Sequence, residues 1–124
     1  MDKKIMIVDD EPDILSSLKT IFERHDYDVI TVDSGFACLN ELERGFSGVI
    51  LLDIMMPGID GWDTLREIVK RGFINRVAVE IITGKGTKDH NKIIDLQIHI
   101  QDYLTKPIDI KRLISSVNNC FSYL

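Results

Sequence analysis

Five polar side chains that could take part in chemistry follow four short apolar segments of the chain. They are Asp9, Asp10, Asp53, Thr83 and Lys106. The segments before them, at residues 5–8, 49–52, 77–82 and 101–104, are apolar apart from Glu80, Gln101 and Asp102, and they have the length of β-strands. The five side chains are therefore predicted to stand at the ends of strands.

Three of these side chains are carboxylates, and carboxylates that are brought together repel one another unless a cation joins them. Neither His nor Cys neighbours Asp9, Asp10 or Asp53 in the sequence. Oxygen ligands with open positions for water and a phosphate oxygen suit Mg²⁺, or Mn²⁺, better than a structural Zn²⁺. The pattern therefore predicts a site for a hard divalent ion.

The same group of residues suits phosphoryl transfer. A carboxylate is a competent nucleophile for a phosphoryl group, because this transfer depends on positioning and charge neutralisation. Lys106 would add a point charge to that of the metal, and the hydroxyl of Thr83 could donate a hydrogen bond to a phosphoryl oxygen.

Several other function classes are disfavoured. His25, His90 and His99 fall in predicted helices or loops away from the strand ends, so no hydrolytic triad is indicated. No GxxxxGK[ST] motif is present, which argues against a nucleotide-hydrolysing P-loop protein. The net charge is −5 and no Lys/Arg cluster offsets it, which argues against direct nucleic-acid binding.

A regular alternation of apolar runs and helical patterns must position these residues. The predicted strands are residues 5–8, 29–32, 49–52, 77–82 and 101–104. Helices are predicted from Pro12, after a Ser34 cap, around Trp62, over residues 85–97 and after an Asp109 cap. Residues 85–97 have only Ile93, Ile94 and Leu96 to hold them against the sheet, so if this segment is a helix it is predicted to be the loosest.

Five such units predict an α/β fold, a mostly parallel sheet with helices on both faces, because parallel strands need crossover connections that share one hand. Ligands of these open sheets bind beyond the carboxyl ends of the strands. The length of 124 residues allows one domain.

Cys38 and Cys120 match no metal spacing and are predicted to be buried thiols in a reducing compartment. With no membrane span or signal peptide indicated, a cytoplasmic location is expected.

Four motifs occur in order along almost the whole chain: IMIVDDEPDI, LLDIMMPGIDG, IITG and DYLTKPID. In these motifs and their spacing the chain resembles the receiver domains of two-component response regulators, including the chemotaxis regulators. The resemblance implies a flavodoxin-like (βα)5 three-layer sandwich with strand order 2-1-3-4-5, an order for which the chemotaxis member is a general example. It also implies a switch that promotes its own phosphorylation and dephosphorylation, not a multiple-turnover enzyme.

By this resemblance Asp53 accepts a phosphoryl group from a phosphohistidine on a sensor histidine kinase or a phosphotransfer protein. Asp9, Asp10 and Asp53, with the backbone carbonyl of Met55, would hold Mg²⁺. The family also implies an undefined downstream protein target and admits a dimer that forms on phosphorylation, with no nucleic-acid or membrane contact by this domain.

The resemblance further assigns a switch to the carboxyl end of the sheet. Thr83 and Lys106 match the residues that contact the phosphoryl group, and Tyr103 matches the switch aromatic that reshapes the face of the fourth predicted helix, fifth strand and fifth predicted helix. Without the family, Tyr103 would be interpreted as a half-buried strand aromatic. The Lys106–Pro107 bond is expected to be cis.

Ile14, Pro107 and Ile108 match positions where the family docks its phosphodonor, although Ile14 could equally be a core residue. Two places depart from the family pattern. His99 and Ile100 stand where a Gly-Ala pair is common, and Glu80 interrupts a strand that is usually apolar.

Two other classes of function stay open from the sequence. A haloacid-dehalogenase-like phosphatase also uses Mg²⁺ and an aspartyl phosphate, but it carries a second Asp where this chain has Met55. A degenerate receiver would only bind partners, which the full acidic, hydroxyl and lysine set argues against. Residues 1–124 are predicted to be one receiver domain with no output domain, either a single-domain relay or part of a larger regulator or hybrid kinase.

Overall fold

A five-stranded parallel sheet forms the centre of the protein. The computed structural model describes residues 3–84, 94–122 and 124. Its strands are β1 (Lys4–Val8), β2 (Asp28–Val32), β3 (Gly48–Asp53), β4 (Val77–Thr83) and β5 (Ile100–Thr105). Their spatial order is β2-β1-β3-β4-β5, with every neighbouring pair parallel. This confirms the α/β flavodoxin-like topology that the resemblance implies.

Within the described residues, four α-helices connect or follow the strands. They are α1 (Pro12–Arg24), α2 (Gly35–Glu43), α3 (Gly61–Lys70) and α4 (Ile110–Cys120). Ser34 caps α2 by accepting a hydrogen bond from the Ala37 N–H at 3.1 Å, and Asp109 caps α4 by accepting from the Arg112 N–H at 3.2 Å. Both caps confirm the sequence prediction, because a side-chain oxygen satisfies an N–H that has no partner within the helix.

The helix predicted over residues 85–97 lies mostly outside the described residues. Its described end is a turn followed by a 3₁₀-helix (Gln97–His99), so this part of the prediction was wrong. Leu96 is buried there, whereas Ile94 is 72% exposed. A single buried side chain does not provide the apolar stripe that normally holds an α-helix against a sheet.

The sheet separates two apolar cores, because successive side chains of a strand point to opposite faces. Met6, Ile50 and Val79 pack with α2 and α3 on one face, and Ile5, Val49 and Ala78 pack with α1 and α4 on the other. Cys38 and Cys120 are free and buried, as predicted, one in each core. Within the described ranges, no helix has the length and apolar character needed to cross a bilayer.

Candidate functional site

Three carboxylates meet at the carboxyl end of the sheet. Asp53 is the last residue of β3 and Asp9 follows β1, and these two strands are neighbours in the sheet. One oxygen from each of Asp9, Asp10 and Asp53 lies within 4.8 Å of the other two. Asp9 is 1% exposed and Asp53 is 2% exposed, while Asp10 is the most accessible of the three. The structure thus brings together the carboxylates that the sequence placed at strand ends.

Backbone N–H groups orient the two buried carboxylates. The Glu11 N–H donates to Asp9 Oδ1 at 2.9 Å, and the Met55 N–H donates to Asp53 Oδ1 at 3.1 Å. Each N–H belongs to the residue two positions further along the chain, which is the local geometry of an Asx-type turn. These bonds hold one oxygen of each carboxylate, so the other oxygen, Oδ2, is available to the centre of the site.

Lys106 extends between the same two carboxylates. Its Nζ lies 3.2 Å from Asp9 Oδ2, 3.6 Å from Asp53 Oδ2 and 3.8 Å from Glu11 Oε1. Burial lowers the pKa of Lys106, but the charges of Asp53, Asp9 and Glu11 and the hydrogen bond to Asp9 raise it more, so the net shift is upward. Lys106 is therefore held as a cation beside the acidic group.

The electrostatics of Asp53 show that one ammonium group does not fully compensate the cluster. Burial raises the pKa of Asp53 to about 6, and the charges of Asp9 and Asp10 act in the same direction. The Met55 N–H and Lys106 oppose this rise. A divalent cation would offset the repulsion, and an all-oxygen donor set with one accessible carboxylate fits Mg²⁺ or Mn²⁺.

The predicted phosphoryl contact and switch residues stand on neighbouring strands. Thr83 ends β4, is buried, and donates its hydroxyl to the Gly84 carbonyl at 2.7 Å. The Lys106 N–H donates to the Thr83 carbonyl at 2.8 Å, which joins the ends of β4 and β5. Tyr103 is half-buried on β5 and packs against the core of α2 and α3. The Lys106–Pro107 peptide bond is cis.

An apolar groove lies beside this edge of the sheet. Ile14, Pro107 and Ile108 line it together with part of α1, and its volume is about 270 Å³. Ile14 and Ile108 are half-buried against the core of α1 and α4, whereas Pro107 is exposed. Ile14 therefore belongs both to the core and to the surface of the groove.

Sequence reasoning missed two residues that shape the site. Glu11 supplies the N–H that orients Asp9 and a carboxylate near Lys106. Gly61 begins α3 so close to the end of β3 that a Cβ there would lie 2.5 Å from the Asp53 carbonyl oxygen. The position of Glu11 directly after the Asp pair was a usable signal. The need for Gly61 depends on a contact between α3 and β3 and has no local signal.

Comparison with known proteins agrees with this arrangement. The family model described as the response regulator receiver domain matches residues 5–118. The chain belongs to the response regulator receiver domain family. Receiver domains are the signalling modules of two-component systems, and members of the family generally bind Mg²⁺ at an acidic pocket of this kind.

This receiver domain is similar to proteins of different length. It is 32% identical over 114 residues to a CpxR homolog, a transcriptional regulatory protein of Haemophilus influenzae, covering 92% of this chain and 48% of that protein. It is 30% identical over 115 residues to the protein PilH of Pseudomonas aeruginosa, covering 93% of this chain and 94% of PilH. The chain thus spans about half the length of the transcriptional regulators it matches, but nearly all of PilH.

A solved structure shows the same fold at higher sequence identity. The CheY-like receiver domain protein of Methanospirillum hungatei JF-1 is 41% identical, with a TM-score of 0.91. The match covers 98% of this chain and 95% of that one. The strand order and the single-layered parallel sheet are therefore those of a receiver domain.

Proposed function

We propose that this receiver domain accepts a phosphoryl group on Asp53 from the phosphohistidine of a sensor histidine kinase or a phosphotransfer protein, with Mg²⁺ bound. The observation that carries the proposal is the position of Asp53. Its carboxylate is buried, lies within 4.8 Å of oxygens of Asp9 and Asp10, and has Lys106 at 3.6 Å. A carboxylate among these charges is positioned to attack phosphorus, because phosphoryl transfer depends mainly on positioning and charge neutralisation.

Asp53 Oδ2 is the oxygen that we assign as the nucleophile. Oδ1 already accepts the Met55 N–H, whereas Oδ2 faces Lys106. In the reaction an O–P bond forms at Asp53 as the N–P bond of the phosphohistidine breaks, and the histidine keeps the bonding electron pair. The histidine leaves as neutral imidazole if its other ring nitrogen carries a proton, and otherwise takes up a proton from solvent to become neutral imidazole. Asp9, Asp10, Asp53 and the Met55 carbonyl would hold Mg²⁺, which supplies charge neutralisation for the phosphoryl oxygens.

Lys106 and Thr83 are assigned to the phosphoryl group after transfer. The Lys106 ammonium would exchange part of its contact with Asp53 Oδ2 for a phosphoryl oxygen, and the Thr83 hydroxyl would leave the Gly84 carbonyl to donate to another. Tyr103, two residues before the end of β5, would turn inward as Thr83 moves. These changes would reshape the face that includes β5 and α4 and so alter the binding of a downstream protein.

The apolar groove at Ile14, Pro107 and Ile108 is assigned to docking of the phosphodonor. It borders Lys106, which also lines it, so a bound partner would lie next to the acidic cluster. Apolar lining and a charged reaction centre at one end are the usual composition of a protein-binding groove beside a site. We also propose that residues 1–124 act as one receiver domain, in a relay or within a longer regulator.

Mass spectrometry after incubation with acetyl phosphate and Mg²⁺ tests the proposal. We expect one phosphoryl group per chain, located on Asp53, and none in the Asp53→Asn variant or in the presence of a chelator. Asp63→Asn changes an exposed aspartate of α3 and is the matched control, which should be phosphorylated like the wild type. Repeated turnover of small phosphoesters would instead favour the phosphatase class, and absence of any incorporation would favour a degenerate receiver.

A further inference from the structure

Glu80 occupies a core position on the face of the sheet that packs against α1 and α4. It is 0% exposed and lies on β4 between Ala78 and Ile82, which both point into that core. An ionised carboxylate is costly in such a place unless its charge is paired. The polar neighbours of Glu80 therefore determine whether its side chain is ionised or protonated.

A single hydroxyl stands between Glu80 and a second carboxyl group. Ser116 Oγ, on α4, is within hydrogen-bond distance of Glu80 Oε2 and lies 2.8 Å from Asp102 Oδ2, on β5. A serine hydroxyl has one hydrogen and can donate to only one of these oxygens. The other contact is favourable only if one of the two carboxyl groups itself carries a proton and donates to Ser116 Oγ.

The surrounding charges indicate which carboxyl group is protonated. Arg112 Nη2 lies 3.4 Å from Asp102 Oδ1, and Asp102 is partly exposed, so Asp102 is stabilised as the anion. The groups facing Glu80 are Ser116 and Cys120 on α4, Asp102 on β5, Tyr27 before β2 and, at longer range, Arg112. None of them is a cation in hydrogen-bond contact with Glu80 among the described residues.

The second oxygen of Glu80 supports the same assignment. Oε2 accepts the thiol hydrogen of Cys120 at 3.3 Å, but Oε1 is buried with no hydrogen-bond partner among the described residues. The carbonyl oxygen of a neutral acid loses much less on burial than an oxygen of a carboxylate. Burial raises the pKa of Glu80 and the charge of Asp102 raises it further, against Ser116, Cys120 and Arg112.

We propose that Glu80 holds a proton in the folded domain at neutral pH, in a chain in which Glu80 donates to Ser116 and Ser116 donates to Asp102. Loss of this proton at higher pH leaves two carboxylates facing one hydroxyl and loosens α4 from β4 and β5. This series of hydrogen bonds continues through Asp102 to Arg112, which also donates to the Tyr103 carbonyl at 3.4 Å. The hydrogen bonds from Glu80 through Ser116 to Asp102 thus make the packing of α4 sensitive to pH. This sensitivity does not depend on phosphorylation of Asp53.

Carboxyl ¹³C NMR of the wild-type protein tests the proton directly. With the side-chain resonance assigned through its own backbone, Glu80 should show the shift of a protonated acid at pH 7 and titrate well above the ordinary glutamate pKa of about 4.3. A Glu80 resonance that titrates near this ordinary value would overturn the proposal.

Unfolding in urea over the pH range tests the consequence for stability. Because Glu80 is ionised in the unfolded chain and protonated in the folded one, unfolding releases a proton, and rising pH favours unfolding. The unfolding constant of the wild type, divided by that of Glu80→Gln, should rise about tenfold per pH unit above the unfolded pKa until Glu80 ionises in the fold.

Glu23→Gln makes the same chemical change at an exposed position of α1 and should give a nearly constant ratio. At high pH the amides of α4 should also exchange faster in the wild type than in Glu80→Gln, while at pH 6 the two should agree. Equal pH dependence of unfolding in the wild type and Glu80→Gln would refute the proposal. If Glu80→Gln does not fold, the resonance of Glu80 in the wild type decides the question.

Discussion

At the scale of single residues, burial and charge pairing act in opposite directions on the pKa of both Asp53 and Lys106. Burial makes the charged form of each group less favourable, and each group favours the charged form of the other. The result differs between them, since the pKa of Asp53 rises to about 6 whereas Lys106 stays a cation. The acidic cluster therefore carries negative charge that Lys106 does not fully neutralise, and a bound cation would neutralise it.

Replacement of Lys106 by alanine should separate metal binding from switching. The variant loses a cation 3.2 Å from Asp9 and 3.6 Å from Asp53, so Mg²⁺ at pH 8 should bind more tightly, by about threefold to tenfold. The phosphorylated or beryllofluoride-bound variant should lack the change at β5 and α4, because the phosphoryl oxygen has lost its cationic contact.

Calorimetric titration with Mg²⁺ and amide NMR spectra of β5 and α4 measure these two effects. Lys19→Ala changes an exposed lysine of α1 and should behave as the wild type in both. Weaker Mg²⁺ binding in Lys106→Ala, or an unchanged spectral response to beryllofluoride, would contradict the role assigned to Lys106.

At the scale of elements, the approach of α3 to the end of β3 determines the position of Asp53. The Gly61 N–H donates to the Ile54 carbonyl at 2.9 Å, and a Cβ on Gly61 would lie 2.5 Å from the Asp53 carbonyl oxygen and 2.6 Å from Ile54 Cα. These are backbone atoms that cannot move aside without displacing the end of β3 and with it Asp53. A glycine is therefore required where the helix begins.

Gly61→Ala should destabilise the domain by roughly 1–3 kcal/mol, because relief of the clash must move α3 or the end of β3. Urea unfolding measures this change, and phosphorylation by acetyl phosphate should slow in the same variant. Gly84→Ala is the control, since a Cβ on Gly84 meets no described atom within 4 Å. Similar stabilities of Gly61→Ala and Gly84→Ala would show that the contact is unimportant.

At the scale of the whole molecule, the site joins segments that are far apart in the chain. Asp9 follows β1, Asp53 ends β3 and Lys106 follows β5, so the cluster exists only when the sheet is assembled. A ligand that binds only the folded state stabilises it by an amount that grows with the logarithm of the ligand concentration once that concentration exceeds Kd. Metal binding at this cluster would therefore be coupled to folding of the domain.

Magnesium should accordingly raise the free energy of unfolding, by about 1.4 kcal/mol at a free concentration ten times Kd. Asp10→Ala removes the most accessible carboxylate of the cluster and should lose most of this Mg²⁺-dependent gain. Thermal unfolding with and without Mg²⁺ measures it. Asp13→Ala, an exposed position in the first turn of α1, should keep the gain of the wild type. Retention of the gain in Asp10→Ala would exclude Asp10 from the metal site.

The regular elements could be predicted closely from local patterns. Each predicted strand agrees with the observed one to within one residue at either end. The signal is clearest for β1, β3 and β4, because these buried strands are short, mostly apolar runs. The caps Ser34 and Asp109 were recognisable for a similarly local reason. The helical pattern over residues 85–97 is not matched at its described end, where residues 94–96 form a turn and Gln97 begins a 3₁₀-helix.

By itself, the sequence determined the layers of the fold, the strand ends and the set of residues, Asp9, Asp10, Asp53, Thr83 and Lys106, that could do chemistry. These depend on periodicity and on the order of residue types, which are properties of neighbouring positions. The tertiary structure alone decided the distances from Lys106 to the carboxylates, the requirement for Gly61 and the reason for a buried Glu80. Each of these depends on atoms contributed by segments far apart in the chain, and no local pattern encodes such a contact.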